Sequence, residues 1–308
     1  AMRWPWRRGR DGAAPTMFGP ARVYDTEGPD GAAIRVLEVG GAFQSAAYVD
    51  GRPEAPFAYL RAFDAIFDAG VPMRRVLMLG GGAFAYPRHV LARRGDVELD
   101  VVEADPAIVA LARERFFLAD AERAHAGRLR VIVADALAYL ADAAVPLGAI
   151  GCDPLTPDAV TPLGCSDVAP ALRSSARLAG AAAPLGAIGC DPLTLGAIRC
   201  DPLAPYDAIL NDVFQGVDPD AGLLAPEGLA LVRASLAPGG LYLVNVVVPD
   251  SPEGVAALIA AGRALERAFD HVSVIPCADE GFSAQDNYLL VATDGLAHVS
   301  GALPLPPA

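Results

Sequence analysis

The chain reads as an α/β protein: a mainly parallel wound sheet of seven strands, preceded by a small antiparallel β unit. Three observations predict it. An apolar strand runs into Gly80-Gly81-Gly82, a second strand ends in Glu103, 21 residues beyond Gly82, and strand and helix patterns alternate after them. Glycine has no Cβ, so its main chain can turn sharply and approach a ligand closely. An acid at the carboxyl end of the second strand, about 20 residues past such a turn, is where a ribose hydroxyl pair is usually caught. The pattern implies a bound nucleoside, against the plainer reading of a turn that only joins strand to helix.

The elements follow in order. Residues 1–20 are basic at their start, lack the apolar stretch of a signal peptide and are expected to form a disordered tail. Residues 21–56 hold two alternating runs, AIRVLEV and FQSAAYVD, separated by Gly40-Gly41, which predicts a small antiparallel unit. Phe57, Leu60, Phe63, Asp64 and Phe67 stand near helical spacing, so a helix leads into the main domain, residues 57–295. Its strands are expected at 76–79, 99–103, 129–133, 208–211, 240–247, 271–275 and 288–292, with helices between them. After Pro252, Val255, Leu258, Ile259, Gly262, Leu265 and Phe269 form an apolar stripe to lay on the sheet. The last two strands are joined by a short loop, so the final one is expected to be antiparallel. That arrangement is the methyltransferase-like variant of the Rossmann-like sheet. Residues 296–308 are expected to be a C-terminal tail.

One segment breaks the alternation. PLGAIGCDPLT occurs at 146–156 and again at 184–194, and LGAIRCDPL follows at 195–203. Rich in Pro, Gly and Ala and poor in aromatics, residues 145–204 read as a low-complexity repeat insert that loops out of the domain. Without it, DALAYLADA would join PYDAILNDVFQG as an ordinary helix-to-strand link.

Composition narrows the function classes. A chain of 308 residues, 53% hydrophobic, can fill a sizeable core, and its longest apolar runs fall short of a membrane span. Cytoplasm is the expected compartment. The net charge of −13 and the dispersed arginine pairs argue against nucleic acid and suit a small cationic substrate. Cys152, Cys165, Cys190 and Cys200 lack paired C-x-x-C spacing, so thiols rather than a metal site are expected.

Ligands of wound sheets sit beyond the carboxyl ends of the strands, so strand-ending residues are the candidates. Gly80, Gly81 and Gly82 end the first strand and Glu103 the second. The turn, GGGAFAYP, lacks the third glycine of a dinucleotide fingerprint. This argues against NAD or FAD and for S-adenosylmethionine or a relative. Pro87 suits a first helical turn. Asp105 precedes Pro106 and reads as a helix N-cap. Asp135 either caps a helix or accepts the adenine amino group, with the Ala136 N–H reading a ring nitrogen. Asp212 follows the strand expected beside the first, where an acid could orient and deprotonate an attacking amine, the alternative being a solvated loop acid. Gln44 and Tyr48 could cover the ligand from the N-terminal unit or serve a plain structural role.

Taken together, QSAAYVD, VLMLGGGAFAYPR, VVEADP, YDAILNDVFQG and DNYLLVATD resemble the spermidine synthase-like (polyamine aminopropyltransferase) family, in the bacterial branch related to transporter-fused spermidine synthases. The resemblance covers about 36–294 apart from the insert. It implies decarboxylated S-adenosylmethionine as co-substrate, no metal, and transfer of an aminopropyl group to a diamine, and it leaves a homodimer open. By position it would put Gln44 near the sulfonium, Gly80–Gly82 and Glu103 on the tail and ribose, Asp135 on the adenine, and Asp212 as catalytic acid/base. The family's acceptor-side features differ here: Ala83-Phe84 replace an acid after the glycine turn, Phe57-Ala58-Tyr59 replace Tyr-His-Glu, and Val213-Phe214-Gln215-Gly216 replace the usual gate. An S-adenosylmethionine-dependent methyltransferase and a non-catalytic nucleoside-binding protein are the competing readings.

Overall fold

Gly40 and Gly41, both at positive φ (59° and 86°), close a two-residue hairpin between Val39 and Ala42. This hairpin belongs to a four-stranded antiparallel sheet in the computed structural model, which describes residues 14–144, 204–215, 218–249, 251–277 and 285–305. Its strands are β1 (Ala14–Thr16), β2 (Gly19–Glu27), β3 (Ala33–Val39) and β4 (Ala42–Tyr48). Strand pairing thus starts before residue 20, where the sequence suggests a tail. Ala14 pairs with Ala21, and the Met17 N–H donates to Asp105 Oδ2 at 2.6 Å, a tertiary tie that local composition does not show.

Between the sheets the expected single helix divides into α1 (Ala58–Ala62) and a 3₁₀ turn over Phe63–Asp68. Then follow β5 (Arg75–Leu79), α2 (Ala85–Arg93), β6 (Glu98–Glu103), α3 (Pro106–Arg115), α4 (Leu118–Ala124), β7 (Leu129–Val133), α5 (Ala136–Ala144) and β8 (Tyr206–Asn211). A short pair, β9 (Phe214–Gln215) and β10 (Asp218–Pro219), precedes α6 (Ala221–Leu224), α7 (Pro226–Ser235), β11 (Leu236–Pro249), α8 (Pro252–Glu266), β12 (His271–Cys277), β13 (Gln285–Thr293) and β14 (Leu303–Pro304). The large sheet has the order β14-β12-β13-β11-β8-β5-β6-β7. Strands β7, β6, β5, β8 and β11 run parallel, and β13 is antiparallel to both β11 and β12, as expected. Among the described residues it therefore has eight strands rather than seven. The extra one comes from the expected tail, where Leu303 and Pro304 pair with Val274 and Ser273, a two-residue edge too short to carry a periodic signal.

Apolar layers cover both faces. Leu60, Phe63, Phe84 and Tyr86 pack on one with Val76, Met78 and Val101, and Leu140, Leu229, Val232, Leu258 and Leu265 on the other with Leu77 and Tyr242. Val255, expected in the α8 stripe, is instead half exposed, because it lies in the first turn past the Ser251 N-cap. A third cluster of Leu37, Val39, Ala83, Ile108 and Phe116 fastens the small sheet over the carboxyl end of the large one. The chain divides into two units, Ala1–Val145 with Leu203–Ala308, and Pro146–Pro202. The repeat insert and its four cysteines lie outside the described residues. Among the described residues, no helix is long and apolar enough to cross a membrane.

Candidate functional site

The glycine turn is shaped by two demands at Gly80. Its φ is +88°, and a Cβ there would lie 2.5 Å from the Asp212 carbonyl oxygen, so no side chain fits. Main-chain bonds from Gly80 N–H to Val102 O (2.9 Å) and from Asp212 N–H to Leu79 O (2.8 Å) bring the ends of β5, β6 and β8 level. Phe84, fully buried, takes the left-handed conformation (φ 55°) before α2, unusual for a bulky residue. Pro87 lies in the first turn of α2, as its missing N–H allows.

Glu103 is buried and already engaged. Oε2 accepts the Gly81 and Gly82 N–H groups at 3.0 and 3.1 Å, and Oε1 accepts the Asp105 N–H at 3.0 Å. The strand-end acid therefore holds the turn in shape, and Oε1 retains a lone pair for a further donor. Asp105 is an N-cap, accepting from the Ala107 N–H at 2.8 Å. Asp135 also caps, with Oδ1 accepting from the Ala138 N–H at 2.9 Å, while it and Ala136 line the cavity described below.

Asp212 stands beside Gly80. Its Oδ1 accepts from Asn245 Nδ2 at 2.8 Å, and Asn245 Oδ1 accepts from Asn287 Nδ2 at 2.9 Å. Burial pushes the carboxyl up to about 7. The Asn245 hydrogen bond opposes this, and the charge of Glu103 adds to it. Sequence reasoning missed both asparagines; their one sign is an amide set in an apolar strand run.

Gln44 reaches the site through a bulge. Leu37 pairs with Ser45 and Glu38 with Phe43, so Gln44 is the extra residue of β4. Tyr48 does not join it. Its hydroxyl donates to Asp30 Oδ2 at 2.9 Å, Arg52 lies over its ring, and it is absent from the cavity wall, because the bulge breaks the alternation that would have aligned it with Gln44.

These groups converge on a cavity of about 990 Å³ that includes Gln44, Gly80, Gly81, Gly82, Glu103, Asp135, Ala136 and Asp212 in its walls. Leu137, Phe214 and Leu223 add apolar surface to its wall. Six carboxylates, those of Glu27, Glu38, Glu103, Asp135, Asp212 and Asp220, line the cavity, and among the described residues no Lys, Arg or His does. Such a cavity is suited to a cationic ligand. Among the described residues, no group of three or more His, Cys, Asp or Glu is placed to hold a metal ion.

Comparison with known proteins agrees with this architecture. No family model matches the chain. Over 105 residues, 32% of its length, it is 33% identical to a polyamine aminopropyltransferase of Mycobacterium tuberculosis, and equally to one of Mycobacterium bovis; the matched stretch spans 20% of the length of these relatives. Among solved structures, a probable spermidine synthase from Corynebacterium glutamicum superposes with a TM-score of 0.59 at 20% identity, covering 93% of this chain and 81% of that one. A spermidine synthase in complex with the transition state analogue AdoDATO gives 0.55 at 16% identity, covering 90% of this chain and 71% of the other.

Proposed function

We propose, for a chain that is spermidine synthase-like in fold and in its matched segment, that it binds decarboxylated S-adenosylmethionine and transfers the aminopropyl group to an amine. The observation that carries the reading is Asp212. It is a carboxylate at the end of β8, raised to about 7, in a cavity lined by five further acids. A general base works best when its pKa lies near the operating pH. The acceptor arrives as an ammonium and gives a proton to Asp212. The neutral nitrogen then attacks the carbon next to the sulfonium, and the carbon–sulfur pair stays on sulfur as a thioether. The product leaves as a secondary ammonium, and the proton on Asp212 returns to solvent.

The remaining walls supply position. The cradle at Gly80–Gly82, with Gln44 across the cavity, takes the aminopropyl tail; the spare lone pair of Glu103 accepts from the ribose; the free Asp135 oxygen and the Ala136 N–H read the adenine edge, and apolar wall residues such as Leu137 cover its faces. The six carboxylates of the wall favour the decarboxylated donor over intact S-adenosylmethionine, whose own carboxylate they would repel.

Asp212→Asn tests the reading. It removes basicity while keeping size, so methylthioadenosine affinity should stay near wild type and turnover should fall by roughly 10²–10⁴-fold, the usual loss on removing a general base. Equal turnover in the two proteins would take Asp212 out of the mechanism. A wild type that binds methylthioadenosine but aminopropylates no amine would favour the methyltransferase or the non-catalytic reading.

A further inference from the structure

We propose that Asn287 is a positioning residue for the transfer step: its amide fixes which end of the Asn245 amide meets Asp212. The inference rests on the reading of Asp212 as the base. Strands β11 and β13 pair antiparallel with Asn245 opposite Leu289 and Val247 opposite Asn287, so the two asparagines are diagonal neighbours on one face of the sheet. Diagonal neighbours stand about 7–8 Å apart, within reach of two amide side chains. Both residues belong to the cavity wall, and Asn245 is buried. Asn287 Nδ2 donates to Asn245 Oδ1 at 2.9 Å, and Asn245 Nδ2 donates to Asp212 Oδ1 at 2.8 Å. Polar groups of β13, β11 and the turn after β8 thus form one chain of donors running toward the carboxylate.

An amide has a donating end and an accepting end, and a buried one needs both served. With Nδ2 toward Asp212, the Asn245 amide favours the ionised carboxylate. With Oδ1 toward it, the contact holds only if the carboxyl is protonated and donates. The bond that Asn245 makes at its far end selects between the two. A donor there takes Oδ1 and leaves Nδ2 for Asp212, and Asn287 supplies that donor. Without it, Asn245 Oδ1 becomes a buried acceptor whose loss is relieved by turning onto a protonated Asp212. Other titratable groups share the wall: Glu103 of β6, Asp135 before α5, Asp220 before α6, Cys277 of β12, and Glu27 and Glu38 of the small sheet. Of these, Glu103 acts on Asp212 through its charge, against Asn245. All six stay in place when Asn287 is replaced, so a change in the titration of Asp212 then reports the amide chain.

Isotope-edited NMR titration of the aspartate carboxyls in the full chain tests this, the Asp212 signal being the one absent from Asp212→Asn. Asn287→Leu keeps the size of the side chain and removes the donor, and Asp212 should then titrate about 0.5–1 pH unit higher than in wild type. Asn287→Gln keeps a donor and should recover part of the shift. In an Asn245→Ala background, Asn287→Leu should leave the titration where Asn245→Ala alone puts it, because the chain is already cut. Should Asn287→Leu not fold, Asn287→Ala makes the same comparison. The acid limb of kcat/KM for aminopropyl transfer should move with the titration while its high-pH plateau is retained, whereas a purely structural loss lowers the plateau without moving the limb. An unmoved titration in Asn287→Leu, or the same shift with and without Asn245, would overturn the positioning role. A titration that shifts as expected in proteins that transfer no aminopropyl group supports the amide chain and counts against the transfer reading.

Discussion

Asn245 keeps Asp212 below the value that burial alone would impose, and this makes the amide testable. Asn245→Ala removes a donor that favours the charged carboxylate, so the acid limb of the kcat/KM profile should move to higher pH; an unmoved limb would show that the bond does not tune the base. The same raised pKa fixes a stability effect. Asp212 rises from 3.8 to about 7 on folding, so the wild type is most stable below pH 3.8 and loses stability progressively as pH rises from there to about 7. Asp212→Asn should therefore melt several degrees higher than wild type near pH 8 and show a clearly smaller gain near pH 5, where only part of the loss has accumulated. A gain equal at both pH values would contradict the buried charge. Glu103 behaves differently from a surface acid that only adds affinity. Glu103→Ala strips three N–H groups of their acceptor, and stability should fall by about 2–4 kcal/mol in denaturant melts as well as nucleoside binding weakening. Spacing made Glu103 and Asp212 legible as strand-end acids. It could not show which main-chain groups Glu103 serves. Nor could it show Asn245 and Asn287, which meet diagonally only through the β11–β13 register.

At the scale of elements, the strands of the large sheet were legible because each is a short apolar run bounded by turn residues, and the final antiparallel strand followed from its short connection. What local pattern could not reach depends on distant partners: β1 tied to Asp105, β14 added at an edge, and the bulge that directs Gln44 rather than Tyr48 toward the cavity. The repeat insert separates α5 from β8, and both are locked into the domain. Tyr139 of α5 and Tyr206 of β8 share a 2.6 Å hydroxyl bond, and the Tyr206 hydroxyl donates to Asp100, which also receives Arg130. This network ties both flanks of the insert to the large sheet. Excising about 145–204 and joining the ends with a short flexible linker should leave a cooperative thermal transition close to that of the full chain, since loop length costs little entropy per added residue. An insoluble product, or one without a sharp transition, would mean that the repeat contributes to the core.

For the whole molecule, a net charge of −13 and a cavity walled by carboxylates act together. A dication approaching this surface is drawn by the summed field before any contact forms, and the attraction is screened over roughly 10 Å at about 0.1 M salt. Methylthioadenosine carries no net charge, so on the proposed reading its binding would report apolar packing and hydrogen bonds at Glu103 and Asp135 rather than the field. The two ligands should therefore respond differently to ionic strength. KM for the diamine should rise several-fold between about 0.02 and about 0.3 M sodium chloride, through a slower association, while methylthioadenosine affinity stays nearly constant. Asp212→Asn should flatten the diamine response, because one of the charges of the cavity wall is gone. A diamine KM indifferent to salt would mean that the acids of the cavity are neutralised by protons or by one another, and that recognition rests on shape and the aromatic wall instead.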